Sequence, residues 1–165
     1  MFFEDLEAFL EGCSALVLAG VGNRLRRDDA AGAMVLRKLK GKVPAGVMMI
    51  DCGAVPENFS LEFKKAKPSH IVFFDAVDMG KEPGSYALIR EGALATCSMS
   101  THKQSVKVLF RVLREGLPGV RIALIGLQPK TTEFGSGLSR PVGRGLNLMA
   151  GEVAKAIGRS LCEDN

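Results

Sequence analysis

The chain has 165 residues, of which 47% are hydrophobic and 24% charged, and its net charge at pH 7 is +4. This composition is that of an ordinary globular protein, and the length suffices for a substantial core, so we expect a single domain over residues 1–165. Trp is absent, Tyr occurs once and the basic residues are scattered. We therefore expect no nucleic-acid partner, because neither stacking aromatics nor a dense basic patch is supplied.

The cysteines and the N-terminus bear on the cellular compartment. The four cysteines are far apart and form no Cys-x-x-Cys pair, which argues against a zinc knuckle or a disulfide scaffold and favours reduced thiols. The first residues lack a basic start, and acids interrupt their apolar run, unlike a signal peptide. No stretch approaches the roughly 20 apolar residues that a membrane span needs. These features predict a cytoplasmic protein that does not insert into a membrane.

Hydrophobic periodicity and turn residues predict the elements in chain order. Helices are predicted at about 2–12, 28–40, 57–67, 101–116 and 142–157, and strands at 15–21, 47–50, 70–74, 86–89 and 120–125. The strand at 86–89 has polar neighbours and is expected at an edge or in a hairpin, and residues 91–101 are expected to form a loop. This order predicts an α/β protein: a three-layer sandwich with a mostly parallel, twisted sheet of about five strands and helices on both faces.

Acidic residues follow the first three predicted strands. The first strand ends in Gly20-Val-Gly22-Asn23 and leads to Asp28-Asp29, Asp51 follows the second, and Asp75 and Asp78 follow the third. The carboxyl ends of parallel strands meet at one edge of a sheet, where open α/β sheets place their ligands. We therefore expect these carboxylates to share a cleft.

A histidine joins this set from a later helix. His102 is predicted in a first helical turn, where the positive end of the helix disfavours imidazolium and leaves a lone pair available. Two carboxylates and one neutral imidazole suit a divalent transition metal better than calcium or magnesium. Cys97 and Met99 lie nearby and offer soft ligands, although an inert loop thiol and a packed methionine are the simpler interpretation.

Each of these residues also has a structural interpretation. Asp28 or Asp29 can serve only as a helix N-cap, Asp51 and Asp78 can shape turns, and His102 can be a packing residue. His70 opens a strand and is expected to be structural. The glycine turn lacks the third glycine of the dinucleotide fingerprint, and no Walker lysine pattern is present. The convergence of strand ends, more than any single residue, supports a functional site.

Six short motifs occur in a fixed order along most of the chain. They are Gly20-Val-Gly22-Asn23 with Asp28-Asp29-Ala-Ala-Gly32, Gly53-Ala-Val-Pro56-Glu57-Asn58, Asp75-Ala-Val-Asp78-Met-Gly80, Pro83-Gly84, Ser100-Thr101-His102 and Gly126-Leu-Gln128-Pro129. Together they resemble the maturation endopeptidases of nickel–iron hydrogenases, most closely the type that serves hydrogenase-3-like, membrane-associated enzymes. Ala30 departs from the glycine that the family usually has after the paired acids, and the leading helix is an addition to the family's usual start.

The resemblance implies an aspartic-type endopeptidase that removes the C-terminal extension of a hydrogenase large-subunit precursor once nickel has been inserted. Matched motif by motif, the metal-recognition residues are Asp29, Asp75 and His102, with Asp29 and Asp75 also the catalytic candidates. Nickel is then supplied by the precursor, and another divalent metal could replace it in vitro. One alternative is a nickel-sensing assembly chaperone that holds the precursor without cutting it. Another is a hydrolase of a nucleotide or tRNA-linked substrate, for which neither a phosphate loop nor a stacking aromatic is evident.

Overall fold

Five helices and six strands make up the computed structural model, which describes residues 1–94, 98, 99 and 103–162. The strands are β1 (Leu16–Val21), β2 (Met48–Gly53), β3 (His70–Asp78), β4 (Tyr86–Arg90), β5 (Ser98–Met99) and β6 (Arg121–Leu127). The helices are α1 (Phe2–Leu10), α2 (Ala31–Leu39), α3 (Ser60–Ala66), α4 (Lys103–Gly116) and α5 (Arg140–Cys162). Short 3-10 turns precede α2 and α3, at Arg27–Ala30 and Pro56–Phe59.

The strands form one sheet in the order β2-β1-β3-β6-β4. β1, β2, β3 and β6 run parallel to their neighbours, while β4 is antiparallel to β6 and lies at an edge. β5 pairs antiparallel with the end of β3. The edge position of β4 confirms its prediction from polar neighbours.

Each face of the sheet carries its own hydrophobic core. Buried side chains of α1, α2 and α5 pack on one face, where Leu18, Phe74 and Ile125 point. Side chains of α3 and α4 pack on the other face, where Phe73 lies between Phe63 and Phe110 with ring centroids 5.4 and 5.0 Å away. This arrangement confirms the predicted three-layer α/β sandwich with helices on both faces.

The helix at the N-terminus covers the edge strand β4. The Phe2 ring meets Tyr86 edge-on with a centroid separation of 4.9 Å, and the Tyr86 hydroxyl donates to the Glu152 carboxylate in α5 at 2.8 Å. Leu6 and Leu10 of the same helix are buried in the core beside α5. Thus α1 is an integral part of the fold. It ends at Leu10, two residues before the predicted boundary.

Several strands run further than predicted. β2 continues to Gly53 and β3 to Asp78, so Asp51 and Asp75 lie within strands and do not follow them. The ladder extends because Asp51 is registered with Gly20 and Asp75 with Gly126. The predicted loop at 91–101 also contains strand β5. Within the described ranges, no helix combines the length and the apolar character needed to cross a membrane.

Two glycines of α5 test the packing of that helix. A Cβ at Gly151 meets nothing within 4 Å, whereas a Cβ at Gly145 would lie 2.0 Å from the Gly84 carbonyl oxygen. We expect Gly151→Ala to raise the free energy of unfolding by about 0.5–1 kcal/mol, because alanine loses less backbone entropy in a helix. Gly145→Ala should lower it, since α5 must move away from Gly84. Urea unfolding of both variants measures this, and equal effects would contradict the packing described.

Candidate functional site at the carboxyl edge of the sheet

Three glycines bring the end of β1 and the start of α2 into direct backbone contact. A Cβ at Gly20 would lie 2.5 Å from the Gly32 carbonyl oxygen, and one at Gly32 would lie 2.2 Å from the Val21 carbonyl oxygen. A Cβ at Gly22 would lie 1.8 Å from the carbonyl oxygen of Asp29. No side chain fits at these positions, so the turn that carries Asp29 lies directly on the end of β1.

Asp29 is buried on this turn, with 1% of its surface exposed. Its Oδ2 accepts a hydrogen bond of 3.0 Å from the backbone N–H of Asn23, and its own N–H donates to the Arg26 carbonyl at 2.9 Å. The glycine turn after β1 therefore holds both the backbone and the carboxylate of Asp29.

Asp75 lies in β3, the hydrogen-bonded neighbour of β1, and is also 1% exposed. Asp75 directly follows Phe74, and Phe74 is registered with Gly20 of β1. Gly20 in turn lies two residues before Gly22, which contacts the turn of Asp29. Side chains alternate along a strand, and Phe73 and Val77 face the core beneath α4, so Asp75 faces the side of the sheet that α4 covers. Asp75 in β3 and the turn that carries Asp29 therefore lie at the carboxyl edge of the sheet, and the shared cleft stays a prediction.

The third predicted ligand lies outside the described residues. His102 immediately precedes α4 in the sequence, and neither it nor Cys97 is among the residues described; the side chain of Met99 is not described either. Across 1–94, 98, 99 and 103–162, no three His, Cys, Asp or Glu side chains form a group that could hold a metal ion. The set Asp29, Asp75 and His102 therefore stays a prediction.

Asp28 is not the N-cap of α2, contrary to one interpretation of the sequence. It lies in the 3-10 turn Arg27–Ala30, no side chain makes a cap hydrogen bond at the start of α2, and Asp28 is 0% exposed. Its carboxylate accepts instead from the loop after β6, including the Ser139 N–H at 2.6 Å and the Ser139 hydroxyl at 2.8 Å. The paired acids consequently have different surroundings.

Asp51 borders a cavity of about 410 Å³ beside the glycine turn, between the ends of β1 and β2. The Arg24 guanidinium pairs with the Asp51 carboxylate across this cavity, and the Gly53 N–H donates to Asp51 Oδ1 at 3.1 Å. Asp51 therefore shapes a turn, as its structural interpretation predicted, and it also forms an ion pair with Arg24.

Asp78 and Gln128 shape the loop that follows β3. Gln128 is buried, its Oε1 accepts from the N–H groups of Met79 at 2.7 Å and Lys81 at 3.2 Å, and its Nε2 donates to Asp78 at 3.1 Å. The hydrogen bond from the Gly80 N–H, and then that from Gln128, lower the pKa of Asp78. Asp78 thus has the turn role that the sequence left open. The role of Gln128 was missed, and its place directly after a buried strand was the available signal.

Glu57, for which the sequence predicted no role, connects the turn after β2 to α4. Ser105, in the first turn of α4, donates from its hydroxyl to Glu57 Oε1 at 3.1 Å. Glu57 lies in the 3-10 turn Pro56–Phe59 after β2. This bond ties the start of α4 to the carboxyl edge and helps to fix the backbone that follows His102.

Cys52 adjoins the cavity but is unsuited to nucleophilic chemistry. It is 1% exposed, and its thiol donates weakly to the Ile50 carbonyl at 3.8 Å. Burial, and then the charges of Asp51 and Glu62, raise the pKa of Cys52 to about 12. A cysteine attacks as the thiolate, so this thiol is unreactive at neutral pH.

His70 has the structural role expected for it. It is buried at the start of β3, its Nδ1 lies 3.0 Å from the Ser69 hydroxyl, and its ring meets Phe9 edge-on at 5.3 Å. Burial, and then the charge of Arg121, lower its pKa, so the ring stays neutral at pH 7. It lies at the opposite end of the sheet from Asp29.

The layers and the acidic edge define an α/β protein whose candidate site lies at the carboxyl ends of its strands, where open α/β sheets place their ligands. A sequence profile of the family described as HycI, hydrogenase maturation protease, matches residues 34–156. The Escherichia coli K12 protein named hydrogenase 3 maturation protease is 29% identical over 127 residues, covering 76% of this chain and 80% of that protein.

The crystal structure of a NiFe hydrogenase maturation protease HycI from Thermococcus kodakarensis KOD1 superposes with a TM-score of 0.82 at 30% identity. That match covers 93% of this chain and 98% of that chain. The chain therefore belongs to the hydrogenase maturation protease family. Its membership confirms the resemblance that the ordered motifs predicted.

The close contact between Gly22 and the Asp29 carbonyl predicts that a methyl group at position 22 strongly destabilises the protein. We expect Gly22→Ala to lower the free energy of unfolding by about 2 kcal/mol or more, because the new Cβ collides with a backbone carbonyl. Gly46→Ala is the matched control, since a Cβ at Gly46 meets nothing within 4 Å. Urea unfolding compares the two, and a Gly22→Ala protein as stable as the control would disprove the contact.

The buried thiol predicts slow alkylation. In a variant that retains Cys52 as its single cysteine, the native protein at pH 8 should react with iodoacetamide about 1,000-fold more slowly than the urea-unfolded chain, because a pKa of about 12 in place of 9.0 leaves that much less thiolate. The native rate should rise about tenfold per pH unit. Mass spectrometry follows the labelling, and fast native labelling at pH 8 would contradict this.

Proposed function

We propose that this protein is an endopeptidase that removes the C-terminal extension of a nickel-loaded hydrogenase large-subunit precursor. The observation that carries the proposal is the placement of two buried carboxylates, Asp29 and Asp75, at the carboxyl edge of the sheet in a member of this family. The relatives are named as maturation proteases, which suggests the reaction, and Asp29 and Asp75 are the residues that we propose carry it out.

Nickel recognition is proposed for Asp29, Asp75 and His102. Burying two carboxylates at one edge costs free energy, and a cation between them offsets that cost. Carboxylate oxygens and an imidazole nitrogen form a donor set suited to a divalent transition metal. In this proposal the nickel arrives with the precursor, and the three side chains complete its coordination only when the precursor is loaded.

Cleavage follows from holding the precursor by its metal. Once Asp29 and Asp75 bind the substrate-borne nickel, the scissile peptide lies at the carboxyl edge, and the metal can polarise its carbonyl or activate a water. In a second version of the proposal one aspartate acts as general base and takes the proton of the attacking water. Both versions need an ionised carboxylate at Asp75.

Docking of the folded precursor is proposed to supply specificity. Leu25 and Phe134 are 69% and 74% exposed on the loops flanking Asp29, and the Arg26 guanidinium lies 4.8 Å from the Phe134 ring centroid. Arg24, Arg26 and Arg27 precede Asp29 and would steer an acidic surface toward the site.

We expect cleavage to be lost when Asp29 or Asp75 is replaced by the isosteric asparagine. Asp75→Asn and Asp29→Asn should each slow cleavage of nickel-loaded precursor at least about 100-fold, because the neutral amide binds a divalent cation more weakly than a carboxylate and cannot act as a general base. Asp78→Asn is the matched control at the same edge and should stay within about threefold. Mass measurement of the large subunit follows the reaction. Cutting by Asp75→Asn at the wild-type rate would refute both versions of the mechanism.

Nickel in the precursor is predicted to decide whether cutting occurs. Wild-type protein should shorten the loaded precursor and leave the nickel-free precursor intact, since Asp29, Asp75 and His102 then have no ion to bind. A precursor bound tightly in both states but never shortened would identify a holding chaperone instead. Equal cutting of both precursors would contradict nickel recognition.

A further inference from the structure

We propose that Asp28 is a positioning residue for the cleavage reaction. Its buried carboxylate fixes the loop at 129–139 against the turn that carries Asp29, and so sets where the Asp29 carboxylate lies. The catalytic consequence rests on the proposed function, whereas the anchor itself rests on contacts within the chain.

The carboxylate of Asp28 binds four donors of that loop. Oδ2 accepts from the N–H groups of Lys130 at 2.9 Å and Thr131 at 3.0 Å and from the Ser139 hydroxyl at 2.8 Å, while Oδ1 accepts from the Ser139 N–H at 2.6 Å. These partners are 102 to 111 residues away in the sequence. One fully buried side chain therefore binds both ends of the loop.

Backbone contacts continue the same attachment along the turn. The Asp28 N–H donates to the Thr131 carbonyl at 3.2 Å, and the Arg27 N–H donates to the Gly135 carbonyl at 3.1 Å. In return the Gly135 N–H donates to the Leu25 carbonyl at 2.9 Å. The loop and the turn thus behave as one paired unit.

The turn keeps a backbone conformation that a free segment would not adopt. Arg27 has a φ of 41°, in the left-handed region that L residues with side chains rarely occupy. Such strain persists only where the surroundings determine the conformation. The bonds to the loop on either side of Arg27 provide that constraint.

The two neighbouring aspartates hold the turn from opposite sides. Asp29 accepts from Asn23 in the loop after β1, and Asp28 accepts from the loop after β6. A shift of the β6 loop is therefore transmitted through Asp28 to the next residue along the chain. Both carboxylate oxygens of Asp28 accept hydrogen bonds from the loop. In Asp28→Asn an NH₂ group takes the place of one of these oxygens, and it cannot accept a hydrogen bond from the loop.

Two single-hydroxyl variants isolate this role. Ser139→Ala removes the hydroxyl that donates to Asp28. Thr131→Ala removes a loop hydroxyl that accepts from the Glu133 N–H at 3.4 Å, and it keeps the backbone N–H bond to Asp28. Cleavage of nickel-loaded precursor gives kcat and KM for each. We expect Asp28→Asn to lower kcat at least about tenfold and Ser139→Ala about two- to fivefold, with KM within about threefold, and Thr131→Ala to match the wild type.

A spectroscopic readout keeps the proposal separate from the reaction. The ¹³C resonance of the Asp29 carboxyl should move in Asp28→Asn and Ser139→Ala and stay in place in Thr131→Ala. If the wild type fails to cut loaded precursor, the proposed function is wrong. The Asp29 resonance then still tests whether Asp28 fixes the position of the Asp29 carboxylate. If Asp28→Asn does not fold, Ser139→Ala decides.

The role is refuted if Ser139→Ala retains wild-type kcat and an unshifted Asp29 resonance. It is also refuted if kcat in Asp28→Asn falls only in proportion to the folded fraction measured by thermal unfolding. A loss of kcat in Thr131→Ala equal to that in Ser139→Ala would show that any loop change has the same effect, and it too would overturn the assignment.

Discussion

The carboxyl edge of the sheet depends on a backbone-to-backbone contact that only glycine permits. Gly22 lies against the carbonyl of Asp29, and Gly20 and Gly32 let the start of α2 approach β1 equally closely. These contacts leave no space for a methyl group, so the turn before α2 packs directly on the end of β1. The position of the acidic turn is therefore set by the absence of side chains as much as by the bonds that Asp29 makes.

Around this contact, each polar group at the edge has a distinct task. Asp28, Asp51 and Asp78 are occupied by backbone N–H groups, an arginine or a glutamine, and they hold loops in place. Asp29 and Asp75 are buried as well, on the turn after β1 and near the end of β3. Asp29 belongs to both groups, because it binds the Asn23 N–H in the loop after β1 and is also one of the two carboxylates that the proposed chemistry uses.

The sequence predicted the layers and the order of elements because apolar periodicity reports directly which face of each element is buried. It placed the strand ends too early, since an acid was taken as a stop, whereas Asp51 and Asp75 extend the ladders through their partners Gly20 and Gly126. The role of Asp28 could not be predicted, because its partners lie more than 100 residues away. The shared edge of Asp29 and Asp75 followed from parallel topology, and the part assigned to His102 stays a prediction.

The N-terminal helix has a consequence for the edge strand β4. β4 lies at one end of the strand order and pairs with β6 along one side. Phe2 of α1 packs across Tyr86 of β4, and Glu152 of α5 binds the hydroxyl of the same tyrosine. Tyr86 is therefore held from two helices, and removing α1 would expose its ring and loosen the attachment of β4 to the rest of the protein.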